Sequence, residues 1–381
     1  MEYLFLAWSA AVSLLLNLVA PARQRGDDSV VVFKLDHIGD LATAAPALRA
    51  LRARRPESDI TLVVGSWCEE LARTALDVDC VAVYDSPSFD RSGAARPPGA
   101  FASLTTALGG RRFGTAYGLR DDAACVRYCL GGGAVRRRDR GSVRLADRVS
   151  RFFRGSGRSR PLHEIETNLR IVGASDEARA GGVPFLSVSP GAEARIGSEI
   201  LGGFVGGRRV VVVHPGAWDP RRRWPVERYR ELVARLIADT GSVVIVTGTA
   251  AERELAEEAA DGAPSVRVLA GELSVAEMVA LLAAADVYVG VDTGMMHVSV
   301  GVGTPVVALF GPADPLRFGP TGPDDVAVSA GLDCAPCDFA RCPRDAACMR
   351  EIEVDDVMSA VERVLARGGA SAPGASRGEA V

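Results

Sequence analysis

One pattern constrains this chain more than any other. A short β-branched run, a turn containing glycine and a helical stretch follow one another, again and again. Val30-Val31-Val32-Phe33-Lys34-Leu35 has strand length and is bounded by turn residues. Gly39 marks the turn, and Leu41 to Arg55 reads as a helix that stops before Pro56. Ile60 to Val64 predicts a second strand, Trp67 to Ala75 a second helix and Cys80 to Tyr84 a third strand. Strands alternating with helices at this spacing build a parallel sheet with helices on both faces, a doubly wound α/β fold. Ser86 to Ala100, rich in Pro, Gly and Ser, predicts a loop. Weaker strand–helix pairs follow, and His163 to Val172 is helical.

The pattern restarts at Arg209. Strands are expected at Arg209–Val213, Ser242–Val246, Val266–Leu269, Val287–Val289 and Pro305–Leu309. Helices are expected at Val226–Ala238, Ala250–Ala260, Ser274–Ala285 and Met295–Val302, with Ser274 and Glu277 forming a capping box. The 381 residues therefore divide into two domains. The expected plan is an apolar segment and linker at 1–28, a first domain at 29–185, a linker at 186–208 and a second domain at 209–352. A helix at 353–367 is expected to pack back across the junction, ahead of a disordered tail at 368–381.

Net charge is −4, so the chain as a whole has no nucleic-acid footprint. Tyr3 to Ala20 is nearly all apolar, at the lower limit of a membrane span. Only Glu2 precedes it, while Arg23 and Arg25 follow, which places the bulk of the chain on the cytoplasmic side of any membrane it touches. Ser9, Ser13 and Asn17 give that segment a thin polar stripe, so an anchor, an interfacial helix and a helix packed on the protein all stay open. Of the eight cysteines, Cys68, Cys80, Cys125 and Cys129 lie in apolar stretches and read as reduced and buried.

Ligands of open α/β sheets bind outside the carboxyl ends of the strands. Three polar clusters are expected there in the second domain. They are His214-Pro215-Gly216, Gly248 with Glu252, and Gly290-Val291-Asp292-Thr293-Gly294-Met295-Met296-His297. The third opens a helix, whose N–H groups and dipole seat an anion such as a diphosphate. Arg221, Arg222 and Arg223 precede Trp224-Pro225 and supply positive charge. Glu252 is placed to accept ribose hydroxyls. Taken singly, Asp292 or Thr293 reads as a helix cap, His214 as a structural histidine and Trp224 as a packing residue. Three clusters on one sheet edge favour a ligand.

These strings carry a family resemblance. VVVHPGAWDPRRRWPVERY, VTGTAAERELAEE and LAGELSVAEMVALLAAADVYVGVDTGMMHVSVGVGTPVVALFGPADP resemble glycosyltransferase family 9, the ADP-heptose:lipopolysaccharide heptosyltransferases. VVVFKLDHIGDLATAAPALRALRARRP resembles the family's opening strand, Gly-Asp turn and helix, and HEIETNLRIVGA has a counterpart too. The resemblance covers about residues 29 to 366. It implies a GT-B fold of two Rossmann-like domains across a cleft, and inversion at the sugar carbon without a catalytic metal. It implies an ADP-heptose donor and no other cofactor. By position, Asp40 matches the proposed general base, and Asp292, Thr293, Gly294 and His297 match the nucleotide-sugar loop. Glu252 matches a ribose contact. Arg222 stands where the family usually has a diphosphate-binding lysine, keeping the charge but changing its geometry. His37 stands where the family mostly has a small polar residue.

The chemistry this implies needs a base for the acceptor hydroxyl and positive charge for the departing diphosphate. Asp40 at a helix start is suited to the first task. Lys34, His37, Arg144 and Arg148 are candidate acceptor contacts. The arginine-rich stretch from Arg136 to Arg160 points to an anionic acceptor or a membrane surface, or to a solvated loop. Cys334, Cys337, Cys342 and Cys348 have spacing compatible with a structural zinc ion, or are plain reduced thiols. Two other functions compete. A nicotinamide enzyme is disfavoured, because Asp36-His37-Ile38-Gly39-Asp40 stands where G-x-G-x-x-G would be. A non-catalytic sugar-nucleotide binder, or a transferase with another nucleotide-sugar and a small-molecule acceptor, remains as the alternative.

Overall fold

The computed structural model describes residues 28–91, 100–120, 122–139, 161–174, 184–337, 342 and 344–370. The apolar segment at 3–20, Arg144, Arg148 and most of the arginine-rich stretch lie outside the described residues. No described helix is long and apolar enough to cross a membrane. The chain divides into two compact units. Unit 1 is Met1–Ala180 with Phe185–Ser187, and unit 2 is Gly181–Pro184 with Val188–Val381.

In unit 1, β1 (Val30–Phe33), β2 (Ile60–Val64), β3 (Cys80–Val83), β4 (Phe113–Gly118) and β5 (Ala134–Asp139) form a parallel sheet. Their order is β3-β2-β1-β4-β5. β1 is central and inaccessible, which is why its sequence is a continuous apolar run rather than an alternating one. Strand order reverses between β1 and β4, so the carboxyl ends of these two strands flank a crevice. The helix after β1 runs Ile38–Arg54, three residues earlier than its apolar periodicity implies. His37 caps it in an extended conformation, and its backbone N–H donates to the Asp40 carboxylate at 3.4 Å. The Glu164–Val172 helix packs on this helix, where buried Asn168 donates through Nδ2 to the Thr43 carbonyl at 3.2 Å.

Unit 2 repeats the plan. β6 (Val210–His214), β7 (Val243–Val246), β8 (Val266–Val268), β9 (Val287–Val291), β10 (Val306–Leu309) and β11 (Val326–Val328) are parallel, in the order β11-β10-β9-β6-β7-β8. The reversal falls between β6 and β9, and the register sets His214 opposite Gly290. The Val226–Thr240 helix buries Tyr229, Leu232, Val233 and Leu236 against the sheet. The Val354–Ala370 helix joins the same core through Val357, Met358, Val361 and Val364. Each such side chain contributes about 1.5–3 kcal/mol on burial. Trp224 is a packing residue, 2% exposed, edge-on to Tyr229 at 4.9 Å between centroids. Its indole N–H donates to the Ile352 carbonyl at 3.0 Å.

Several expectations change. Residues 186–208, expected as the linker, contain helix. Pro190–Arg195 and Ile196–Leu201 form a continuous helical stretch that packs on the Val275–Ala284 helix of unit 2. Only Ala192 and Ile196 of this stretch are buried, too few to give a helical period in the sequence. Arg195 is ion-paired to Glu277, and Arg267 lies over the Phe204 ring at 4.4 Å. The last helix runs to Ala370, beyond the expected start of the tail. Cys80 is exposed, whereas Cys68, Cys125 and Cys129 are buried as expected. Arg137, within the arginine-rich stretch, is buried on β5 in an ion pair with Asp139, so it does not belong to a solvated basic face.

Gly290 on β9 is fixed by close approach. A Cβ placed there would lie 2.5 Å from the Tyr288 hydroxyl oxygen and 3.0 Å from the His214 carbonyl oxygen. Gly290→Ala is therefore expected to destabilise the protein by about 1–3 kcal/mol through overpacking. Urea unfolding against wild type checks this, and an unchanged midpoint would contradict the crowding.

Candidate functional site

The reversal point of the second sheet brings the three polar clusters together. His214 ends β6 and is buried, and its Nδ1 shares a hydrogen bond with the Thr247 hydroxyl at 3.0 Å, at the end of β7. Pro215 and Gly216 continue from it. Glu252 folds against Gly216 so closely that a Cβ there would meet its carboxylate at 2.3 Å. The same carboxylate accepts from the Thr249 backbone N–H at 2.9 Å and from the Thr249 hydroxyl at 2.8 Å. Gly216 is therefore a residue without which Glu252 would not sit at the strand ends.

Burial lowers the pKa of His214, with Glu252 opposing more weakly, so the imidazole is neutral at neutral pH. The unfolded chain protonates near pH 6.5 while the folded chain does not. Stability should therefore fall as pH drops below 6.5, toward the lowered folded value, by at most about 1.4 kcal/mol per pH unit from this residue. His214→Gln should flatten that slope when urea unfolding is compared between pH 7.5 and 5.5. An equal slope in wild type and variant would remove His214 as the cause.

The third cluster is the most informative. Asp292 and Thr293 follow β9, and the helix runs Gly294–Val302. Thr293 adopts the N-cap conformation, yet its side chain makes no capping hydrogen bond. Its hydroxyl lies 3.3 Å from the buried Tyr288 hydroxyl. The Asp292 carboxylate pairs with Arg222 at 2.8 Å and lies 3.8 Å from Nε2 of His297. Arg222 Nη1 also reaches the Asp292 carbonyl, at 3.3 Å. The Thr293 side chain therefore does not act as a simple cap. The helix start lies at the end of β9 beside an arginine and a histidine, and a helix N-terminus in such surroundings favours an anion. Arg221 and Arg223 are engaged elsewhere, with Asp219 and with the Ala217 carbonyl.

In unit 1, the reversal point gathers Asp36, His37 and Asp40 after β1 and Arg120 after β4. Lys34 is wholly buried and ion-paired to Asp36 at 2.9 Å, so it braces the strand end instead of facing an acceptor as expected. Arg120 Nε lies 3.8 Å from the same Asp36 carboxylate. Burial raises the pKa of Asp36, offset by Lys34 and Arg120 and reinforced by Asp40. His37 is half-buried, tilted on Trp67 with ring centroids 5.7 Å apart. Its pKa is lowered by burial first and by the nearby Arg91, so it stands as a neutral imidazole beside Asp40. The Trp67 indole donates to the Asp36 carbonyl at 2.6 Å and holds this turn.

Four residues of these sites escape sequence reasoning. Thr247, directly before Gly248 at a strand end, was within reach of the strand-end rule. Asp36 lay in the singled-out turn, but its pairing with Lys34 needs coordinates. Arg120 follows a strand with weak sequence signal. Tyr288 reads as one more core aromatic until its hydroxyl is placed beside Thr293. The late cysteines Cys334, Cys337, Cys342 and Cys348 line a common cavity in unit 2. Among the described residues, no group of three or more His, Cys, Asp or Glu is placed so that it could hold a metal ion.

The chain is similar to known proteins. The model of glycosyltransferase family 9 (heptosyltransferase) matches residues 171–347. Lipopolysaccharide heptosyltransferase 1 of Pseudomonas aeruginosa is 33% identical over 226 residues, covering 58% of this chain and 60% of that protein. Lipopolysaccharide heptosyltransferase 2 of Escherichia coli K12 is 26% identical over 310 residues, covering 75% and 83%. Among solved structures, the E. coli ADP-heptose lipopolysaccharide heptosyltransferase II superposes with a TM-score of 0.67 at 22% identity, covering 90% of this chain and 99% of that one. The E. coli heptosyltransferase WaaC with ADP gives a TM-score of 0.62 at 19% identity, covering 88% and 99%. At these identities the structural likeness speaks for the fold, the GT-B type with two Rossmann-like units.

Proposed function

From the premise that this chain belongs to glycosyltransferase family 9, we propose that it is an inverting transferase that moves a heptose from an ADP-sugar to a saccharide or glycolipid acceptor. One observation carries the reading. The Gly294–Val302 helix starts at the reversal point of the second sheet, its N-cap Thr293 makes no side-chain cap, and the Asp292–Arg222 pair and His297 stand beside it. A helix N-terminus next to an arginine suits the diphosphate of a nucleotide-sugar. Glu252, turned toward the strand ends, accepts from the ribose hydroxyls, and His214, Pro215 and Gly216 line the nucleotide.

The acceptor oxygen attacks the anomeric carbon as the bond from that carbon to the diphosphate oxygen breaks. The acceptor proton passes to the Asp40 carboxylate, and the leaving ADP takes the bonding electrons. Its growing negative charge is met by the helix N–H groups and by Arg222. Attack opposite the leaving group inverts the centre. Every charge in this scheme is handled by side chains and backbone, and the only added ligand is the donor. An anionic acceptor fits the Arg120 guanidinium beside Asp36 as well as the arginine-rich stretch.

Calorimetric titration with ADP, UDP and GDP tests the seat. ADP is expected to bind tightest, and Asp292→Ala is expected to weaken it. Binding of UDP in preference to ADP would overturn the donor base, and binding of none of the three would overturn the seat.

A further inference from the structure

Trp218 is 71% exposed, the most accessible of the large apolar side chains that reach solvent among the described residues, whereas Trp224, further along the same loop, is buried. The backbone that carries it is fixed on both sides. Ala217 is buried in the core of unit 2, and its carbonyl accepts from Arg223 Nε at 2.9 Å. Asp219 caps the turn Pro220–Arg222. Its carboxylate accepts from the Arg221 backbone N–H at 3.0 Å and from the Arg221 guanidinium at 3.0 and 2.9 Å, and its carbonyl accepts from the Arg222 N–H at 2.9 Å. Pro220 locks a further backbone angle. The indole therefore stands in solvent on a rigid support, and its largest stabilisation, burial of its apolar faces, is left for something other than the core. The loop crosses the ligand edge of the sheet. It leaves β6 at His214, lies at Gly216 against the Glu252 carboxylate, and meets the Asp292 side chain through Arg222 at 2.8 Å. Between those points, Arg221 lines one cavity with Pro312 of the segment after β10, and β10 lies on the far side of β9 from β6 and β7. The loop thus spans the anion seat from the Glu252 side to the β10 side, with Trp218 between.

Resting on the reading of Glu252 as the ribose contact and Arg222 as the diphosphate contact, we propose that Trp218 is the platform for the transferred sugar of the donor, its indole face against the C–H face of the pyranose ring. With the nucleoside drawn to Glu252, the sugar at the other end of the diphosphate runs toward the β10 side, along the loop that carries Trp218. A pyranose presents a face of C–H bonds with a slight positive charge, and an indole face carries the negative end of its quadrupole. Tryptophan offers the largest such face among the side chains and orders few torsions on contact. Because Ala217 and Asp219 already hold its backbone, the ordering cost on binding is small. The hydroxyls on the rim of the ring stay available for hydrogen bonds. A stack of this kind favours a sugar with an uninterrupted C–H face, so Trp218 sets the choice of sugar and leaves the choice of nucleotide to Glu252 and the strand ends.

Titration of the full chain with ADP and with ADP-heptose, followed by calorimetry and by tryptophan emission, tests this. ADP-heptose is expected to change the emission of wild type beyond any change with ADP, and the extra change should vanish in Trp218→Phe. Trp218→Ala is expected to weaken ADP-heptose binding about 10-fold and to leave ADP affinity unchanged, with Trp218→Phe recovering part of the loss. The side chain is so exposed that the urea midpoints of both variants should match wild type. An equal loss of ADP and ADP-heptose affinity in Trp218→Ala would assign the indole to the nucleotide and overturn the proposal. Unchanged ADP-heptose affinity in that variant would overturn it as well, while leaving the donor seat intact. Binding of neither ligand by wild type would remove the donor seat itself, and this proposal with it.

Discussion

Asp40→Asn is expected to lower kcat about 10²–10⁴-fold, the range for losing a general base. The donor KM should change little, because Asp40 lies in unit 1 while the anion seat is built from unit 2. Asparagine keeps the size of the side chain and its acceptor oxygen for the His37 N–H, so the start of the Ile38–Arg54 helix should survive. That point matters because Asp40 has a structural duty as well as a proposed chemical one. A variant that merely lost the cap would show a lower melting temperature and, once corrected for folded fraction, normal turnover. The decisive measurement is transfer to acceptor under saturating donor, with Asp40→Glu and His37→Ala alongside. His37, a neutral imidazole half-buried on Trp67, is expected to shift acceptor KM more than kcat. Near-normal kcat in folded Asp40→Asn would remove this residue from the chemistry.

Arg222→Ala should produce two separable losses. The first is structural. Asp292, whose side chain is only 8% exposed, loses its 2.8 Å partner and keeps a carboxylate near His297 at 3.8 Å. Leaving a largely buried charged group under-satisfied costs about 1–3 kcal/mol. The second is functional, since the departing diphosphate loses its cation, and donor affinity should fall about 30-fold or more. Arg222→Ala/Asp292→Asn separates them. Removing the carboxylate charge is expected to restore much of the stability but none of the donor affinity. Recovery of donor binding in the double variant would mean that Arg222 serves only to neutralise Asp292. Arg222→Lys should fall between, because a lysine keeps the charge but presents it as a compact, strongly hydrated point without the planar fork.

The present geometry also explains why an arginine suits this position. One guanidinium nitrogen reaches both oxygens of Asp292, side chain and backbone, and the planar fork stays charged at any ordinary pH. Under the proposed function, Asp292 serves as an orienting group. It fixes Arg222 beside the helix start before any donor arrives, which reduces the reorganisation needed at the moment of reaction.

The sequence by itself determined most of the strands and helices, and which strand ends are candidates for chemistry. Val30–Phe33 and Val210–His214 read as buried strands from their β-branched apolar runs. Side-chain periodicity and turn chemistry are local properties, so they can be read without coordinates. Ser274 and Glu277 form their capping box for the same reason. Local patterns failed where few residues are buried, as in the helical stretch Pro190–Leu201, which reads as linker because only two of its side chains reach the core. Only the tertiary structure decided the partners. Sheet order placed β9 beside β6, and with it Asp292 beside the His214 strand end, from residues far apart in the chain. It also turned Lys34 inward onto Asp36, set Asp292 against Arg222, and set four cysteines around one cavity. Charged and sulfur-bearing side chains are neutral to the local pattern. Their direction is set by which neighbours satisfy them on burial, and those neighbours exist only once the sheets have assembled.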